Sequence, residues 1–222
     1  MRKIILKTAL IISISVFAWA CKSSTNTANP ASNPSEIKEI AASKEYTIDV
    51  EASSLEWKGE NIIAGRAHTG NIKFKEGVLG VEGNLVVSGK MLLDITTITN
   101  NDLKEKALND KLVKHLKSDD FFSVGSFPTA TLEIATIEAL ASPTVDANNT
   151  VTANLSIKGI TKKITFPAMI KVSDIGVLAN AKLEFNRKDW NVMYGTEGSL
   201  SALTKDKVIK NEISISVNII AK

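Results

Sequence analysis

The sequence predicts an all-β protein, an up-and-down antiparallel barrel of about eight strands with one inserted helix. Three observations predict it. Apolar and polar residues alternate over stretch after stretch, and period two with one wet face marks half-buried antiparallel strands. The breaks are short and carry glycine, as at Lys75-Glu76-Gly77, Lys158-Gly159 and Ser173-Asp174-Ile175-Gly176, so consecutive strands pair as hairpins. One segment alone turns to helical period. A meander with a single helix closes well as a barrel, because closure removes the edge strands that aggregate.

The chain opens MRKIILKTALIISISVFAWAC. Arg2, Lys3 and Lys7 precede a 13-residue uncharged stretch, Thr8 to Ala20. That is the length of a signal-peptide core and too short for a membrane-spanning helix. Ala18 and Ala20 lead into Cys21, the only cysteine. A small residue before a cysteine at the cleavage point resembles a bacterial lipobox, although Trp19 is bulky for that motif. On this reading residues 1–20 are removed and Cys21 is lipidated, giving a durable anchor. Residues 21–45 are rich in Ser, Asn, Thr and Ala with two prolines. They read as a flexible tether, about 20 residues with a reach of roughly 25 Å, that keeps the barrel's mouth near the bilayer. Residues 46–222 form the folded domain.

Charge excludes one class of partner. Three of the 27 Lys and Arg lie in residues 1–20, where there is no Asp or Glu, so the remaining 24 balance the 24 acidic residues. A neutral surface gives no footing for nucleic acid. A single cysteine permits no disulfide within the chain, so stability rests on a core.

The strands follow in order. Short ones lie near Tyr46–Val50 and Leu55–Trp57. Ile72 and Phe74 form an apolar row, as do Leu85, Val87, Met91 and Leu93, and then Leu132 and Ile134. Val151, Ala153, Leu155 and Ile157 alternate with Thr152, Asn154 and Ser156. Ile164, Phe166, Ala168, Ile170 and Val172 make the next row. Ala179, Ala181, Leu183 and Phe185 follow, then Ile209, Ile213, Ile215, Val217 and Ile219. Between them, at about 101–117, Leu103, Ala107, Leu108, Leu112, Val113 and Leu116 define one amphipathic helix, with Thr99 and the asparagines as caps.

Several runs together resemble the YceI-like family. They are WKGENIIAGRAHTGNIKFKEG (57–77), the stretch Met91–Ile98, HLKSDDFF followed by SFPTATLEI, NLSIKGITKKITFPAMI (154–170) and FNRKDWNVMYG (185–195). The order and coverage of these motifs span the mature domain and are similar to the lipoprotein members found in Bacteroidetes. The resemblance implies an eight-stranded lipocalin-like barrel, a polyisoprenoid or other apolar lipid as ligand, and no catalytic role.

The chemistry-bearing residues fit that expectation. In HLKSDDFF, His115, Asp119 and Asp120 supply at most three metal ligands across a helix end. The structural alternative fits better: a Ser118 or Asp119 cap, Phe121, Phe122 and Phe127 packed over the barrel, and Pro128 fixing the next strand. Arg187 and Asp189 suit an ion pair or a cap. No CxxC, HExxH, phosphate loop or G-x-S-x-G occurs, and no cofactor is implied. An eight-stranded barrel is just wide enough to be filled or to hold one ligand. Gly70, Gly89, Ala130 and several inward alanines leave room, and the resemblance tips the reading to a cavity. By strand parity its walls are His68, Ile72, Phe74, Leu85, Val87, Met91, Leu132, Ala153, Leu155, Phe166, Ala168, Ala179, Ala181, Phe185 and Ile215.

The expected function is therefore a lipid-anchored binding protein of the cell envelope, on the outer membrane facing the periplasm or the cell surface, with a second copy of itself among the candidate partners. The alternative is a filled barrel serving as an envelope structural or interaction module.

Overall fold

Turn chemistry sets the topology, as the hairpin between Ile157 and Ile160 illustrates. Its two central residues, Lys158 (φ 50°) and Gly159 (φ 74°), both sit at positive φ, the geometry whose twist matches two antiparallel strands. The computed structural model describes residues 44–62, 65–197 and 208–222. Ten strands occur among them: β1 (Lys44–Thr47), β2 (Ser54–Asn61), β3 (Arg66–Asn71), β4 (Lys73–Glu82), β5 (Leu85–Asp94), β6 (Thr129–Ala139), β7 (Asn149–Ile157), β8 (Ile160–Ser173), β9 (Gly176–Asn186) and β10 (Glu212–Ala221). One helix, α1 (Lys106–Lys117), separates β5 from β6. Cys21 and nearly all of the expected tether lie outside the described residues.

The strands form a single antiparallel sheet in the order β1-β4-β5-β6-β7-β8-β9-β10-β2-β3. The sheet curls until the chain's first strand, β1, meets its last, β10. Ile48 bridges Ala221, and Thr47 and Lys222 exchange main-chain hydrogen bonds of 2.9 Å in both directions. About eight strands are expected and ten are present: the short strands near Tyr46–Val50 and Leu55–Trp57 appear as β1 and β2, and the row through His68, Ile72 and Phe74 is broken into β3 and β4. Between β1 and β2 the Asp49 carboxylate accepts from the Ala52 N–H at 3.1 Å, making a local turn. Between β3 and β4 the Ile72 N–H donates to the Leu55 carbonyl at 3.2 Å.

Inward rows follow the expected parity except beside bulges. The β4–β5 register jumps between the pairs Gly80–Ser88 and Val81–Val86, which leaves Val87 as an extra residue. A bulge flips every side chain beyond it. Val86 is therefore buried and Leu85 is 65% exposed, so Leu85 and Val87 are not wall residues as expected. A second bulge in β6, between Ile134 and Thr136, moves the inward row from Leu132 and Ile134 to Ile137.

The helix is shorter than the expected 101–117. Residues before it are spent on the edge of β3. The Asn101 N–H donates to the Thr69 carbonyl at 2.8 Å, and the Thr69 N–H donates to the Asp102 carboxylate at 2.9 Å. Asn100 caps the turn by accepting the Leu103 N–H at 3.0 Å, and Glu105 at the helix start makes no side-chain cap. Within α1 only Leu116 is fully buried, and Leu108 is exposed. Phe121 is buried and Phe122 half-buried as expected, but Phe127 remains exposed.

Gly70 is a packing position. A Cβ there would stand 1.8 Å from the Thr99 carbonyl oxygen and 2.7 Å from Trp57 Nε1. Gly70→Ala should lower unfolding stability by about 1–3 kcal/mol, the usual cost of overpacking, measured by urea titration. Gly125→Ala, where an added Cβ meets nothing within 4 Å, should stay near native.

Candidate functional site

Strand alternation aims one row of every strand at the interior, and those rows do not meet. They enclose two neighbouring chambers. The larger, of about 340 Å³, opens towards the α1 end. The smaller, of about 90 Å³, lies farther from α1, among Leu79, Val86, Ile137 and Val177. The two share the walls Leu55, Leu93, Leu132, Leu183 and Val217, which form a neck of branched aliphatic side chains. The larger chamber alone falls within the range of small-molecule sites.

Most of the expected wall residues line these chambers. His68, Ile72, Leu155, Phe185 and Ile215 face the large one. Phe74, Met91, Phe166, Ala168, Ala179 and Ala181 face the deep one, and Leu132 faces both. Ala153 points inward but lies fully covered, packed among Leu132, Ile134 and Phe166. Leu85 and Val87 are the two misplaced by the bulge. Parity missed Val86 and Ile137, and the aromatic and polar residues contributed from outside the strands.

Polarity is distributed unevenly. The deep chamber is lined by apolar side chains and Asn180. The large chamber adds Glu60, Asn61, His68, His115, Arg187 and Tyr194, which places its polar groups at the mouth. Trp57 also lines it, with its indole N–H buried and without a hydrogen-bond partner.

Both histidines are held by aspartates. His68 Nδ1 lies 2.8 Å from Asp102 Oδ2. Asp102 also accepts from the Thr69 N–H and from the Asn100 amide. Burial pushes its carboxyl up, but the Thr69, His68 and Asn100 hydrogen bonds outweigh that, and its pKa is held below 3.8. An aspartate-oriented imidazole opening on a cavity is also how a general base is built, yet among the described residues no Ser, Thr or Cys hydrogen-bonds to His68.

His115 answers the question posed by HLKSDDFF. Its Nε2 lies 2.9 Å from Asp120 Oδ2, and Ser118 Oγ donates to the His115 carbonyl at 2.7 Å as the helix ends. The ring packs edge-on against Tyr194 (4.5 Å) and Phe121 (5.0 Å). The run is thus a clasp that fastens the end of α1 over the mouth. Among the described residues no group of three His, Cys, Asp or Glu is placed to hold a metal.

Arg187 departs from expectation. It makes no ion pair with Asp189. Its guanidinium is buried and donates to the carbonyls of Lys210 (3.0 Å), Val192 (2.9 Å), Tyr194 (2.7 Å) and Ile209 (3.1 Å). Burial lowers its pKa, with Glu197 opposing. The side chain ties the end of β9 to the two segments bordering the mouth. Trp190 beside it is 1% exposed and donates to the Leu155 carbonyl at 3.0 Å.

The fold and site together define an antiparallel β-barrel protein with an apolar interior and a polar rim. Residues 46–221 match the model of the YceI-like domain, and the chain belongs to that family. Solved structures agree in fold. BcnA of Burkholderia cenocepacia shares 21% identity at a TM-score of 0.60, covering 79% of this chain and 99% of that one. A polyisoprenoid-binding domain from Saccharophagus degradans, implicated in plant cell wall breakdown, shares 15% identity at 0.56, covering 80% and 97%. No curated protein sequence matches this chain significantly.

Asp102 yields a pH prediction. A carboxylate whose folded pKa is depressed stabilises the fold above its ordinary value and loses that contribution as the pH falls through the lower folded value. Asp102→Asn should therefore be less stable than the native chain at pH 5. The gap should close as the pH drops below 3.8, followed by thermal melts across the acid range.

Proposed function

We propose that this protein is a membrane-anchored carrier that holds the tail of a long apolar lipid, of polyisoprenoid type, inside a lipocalin-like barrel. It stores or moves that lipid in the cell envelope. The observation that carries the reading is the interior void: about 340 Å³ at the mouth and, beyond shared aliphatic walls, about 90 Å³ of apolar space. Such a space stays poorly hydrated, and a hydrocarbon tail gains about 0.8 kcal/mol for each CH₂ it buries there. The Saccharophagus domain, described as polyisoprenoid-binding, supports the same assignment. β1 with β2, and β3 with β4, act as single broken staves, making eight in all.

Anchoring follows the sequence reading, in which Cys21 carries the lipid and the chain sits on the outer membrane facing the periplasm. Among the described residues no helix is long and apolar enough to cross a membrane. β1 pairs Lys44 with Val81, near the β4–β5 hairpin, so the tether joins the domain at the end away from the mouth. A reach of roughly 25 Å then leaves the domain free to turn its mouth to the bilayer. The rival reading, a filled structural module, requires side chains where the two chambers lie.

Two outcomes test this. Cys21→Ser should abolish palmitate labelling and shift the protein from the membrane to the soluble envelope fraction. That soluble form, purified without detergent, should yield close to one long-chain lipid per protein by mass spectrometry of its organic extract. Ala179→Phe, which fills the deep chamber, should lose most of it. Absence of lipid from the native interior, or equal lipid in both proteins, would overturn the proposal.

A further inference from the structure

We propose that the rim around the larger chamber is a membrane-docking surface, and that its partner is an anionic phospholipid bilayer. This goes beyond the carrier reading, because it stands on exposed side chains and charge, whatever fills the interior.

Four large apolar side chains reach solvent at this end, each on a different element. Ile62 (42% exposed) follows β2, Leu108 (47%) lies on α1, Phe127 (37%) precedes β6 and Met193 (45%) follows β9. Contacts link them into one rim. The His115 ring of α1 packs 4.5 Å from the ring of Tyr194, the residue after Met193. The Lys158 ammonium donates to the Asn191 carbonyl at 3.0 Å, and a Cβ on Gly159 would meet the Phe127 ring at 3.2 Å. The Ile62 N–H donates to the Val208 carbonyl at 3.0 Å, and the Ile209 N–H donates to the Gly195 carbonyl at 2.8 Å. On α1, Leu108 shares a face with Leu112 and His115, which line the chamber, and continues their row outwards.

Apolar exposure alone does not choose an end, since scattered exposed aliphatics are ordinary. The opposite end exposes Leu85, Val145, Ile175 and Leu178. Charge separates the two. The connections at that opposite end, 82–85, 138–148 and 173–176, hold four Asp and Glu and no Lys or Arg. Asp146 adjoins Val145, and Asp174 adjoins Ile175. Lys44 and Lys222 there are already held by the Asp174 carbonyl and the Asp49 carboxylate. At the mouth, residues 104–120, 156–163 and 186–197 hold ten Lys and Arg against six Asp and Glu. The helix α1 alone carries four lysines and one aspartate. Its Lys111, Lys114 and Lys117 make no ion pair among the described residues. An apolar side chain beside free lysines gains by leaving water while its neighbours meet anionic head groups. One beside a carboxylate meets repulsion from the same surface. Docked this way, the opening of the larger chamber lies against the lipid.

The test uses the full chain carrying Cys21→Ser, so that no acyl anchor contributes, and vesicles of phosphatidylcholine with or without phosphatidylglycerol. Cosedimentation should show binding to the phosphatidylglycerol vesicles at low salt and its loss at high salt. Lys111→Glu with Lys114→Glu should weaken binding at least about 20-fold, at about fivefold for each lysine lost near the surface. Leu108→Ser with Met193→Ser should weaken it about tenfold. Val145→Ser with Ile175→Ser should leave it unchanged. Should a variant not fold, a nitroxide on Met193→Cys should lose access to a water-soluble relaxing agent on binding, while one on Val145→Cys keeps it. Absence of binding, equal binding to both vesicles, indifference to the α1 charge reversals, or protection of Val145 in place of Met193 overturns the docking surface. None of these results bears on whether the interior holds a lipid, which the extraction experiment decides separately.

Discussion

The lumen depends on the main-chain ladder that joins the start of the domain to its end. Thr47 and Lys222 trade hydrogen bonds of 2.9 Å, and Ile48 bridges Ala221 beside them. Without that seam the sheet would carry an unpaired edge along β10 near its end, and edges recruit other strands. The seam also fixes curvature. Gly176 allows the backbone to close tightly there, since a Cβ on it would stand 2.2 Å from the Ala221 carbonyl oxygen. Once the ends are tied, inward rows converge on a common space, and their volume decides whether that space is filled.

Here it is not filled, and the reason is local. Ala168, Ala179 and Ala181 sit on adjacent strands β8 and β9 and face the deep chamber together. Ala168 pairs directly with Ala181, and Ala179 with Ile170. Small side chains clustered at one level leave space that the aromatic residues at other levels do not reach. At the opposite end α1 narrows the opening. Its last turn is clasped by the packing of His115 against Tyr194 and Phe121 and by the contact with Asp120. The polar groups of the mouth come from both: Glu60, Asn61 and His68 from β2 and β3, and His115, Arg187 and Tyr194 from α1 and the connections.

Buried polarity at the mouth is of two kinds. Arg187 is satisfied by backbone carbonyls and serves as a brace between segments. Trp190 is satisfied by the Leu155 carbonyl. The Trp57 indole N–H is buried without a hydrogen-bond partner.

Period-two alternation and glycine turns determined, from the sequence by itself, an all-β antiparallel meander with one helix, and parity alone placed His68, Phe166, Ala179, Ala181 and Ile215 on the walls. Those features are local, because each strand's faces are set by its own backbone. Tertiary structure alone decided the rest. The bulge at Val87 reversed Leu85 and Val86, because register is a property of two strands and not of one. The row through His68 and Phe74 breaks after Asn71 because the Ile72 N–H is captured by the Leu55 carbonyl of a neighbouring strand. The pairing of His68 with Asp102, 34 residues away, and the burial of Arg187 among four carbonyls have no sequence period at all. They exist only because closure of the sheet brings distant segments to the same rim.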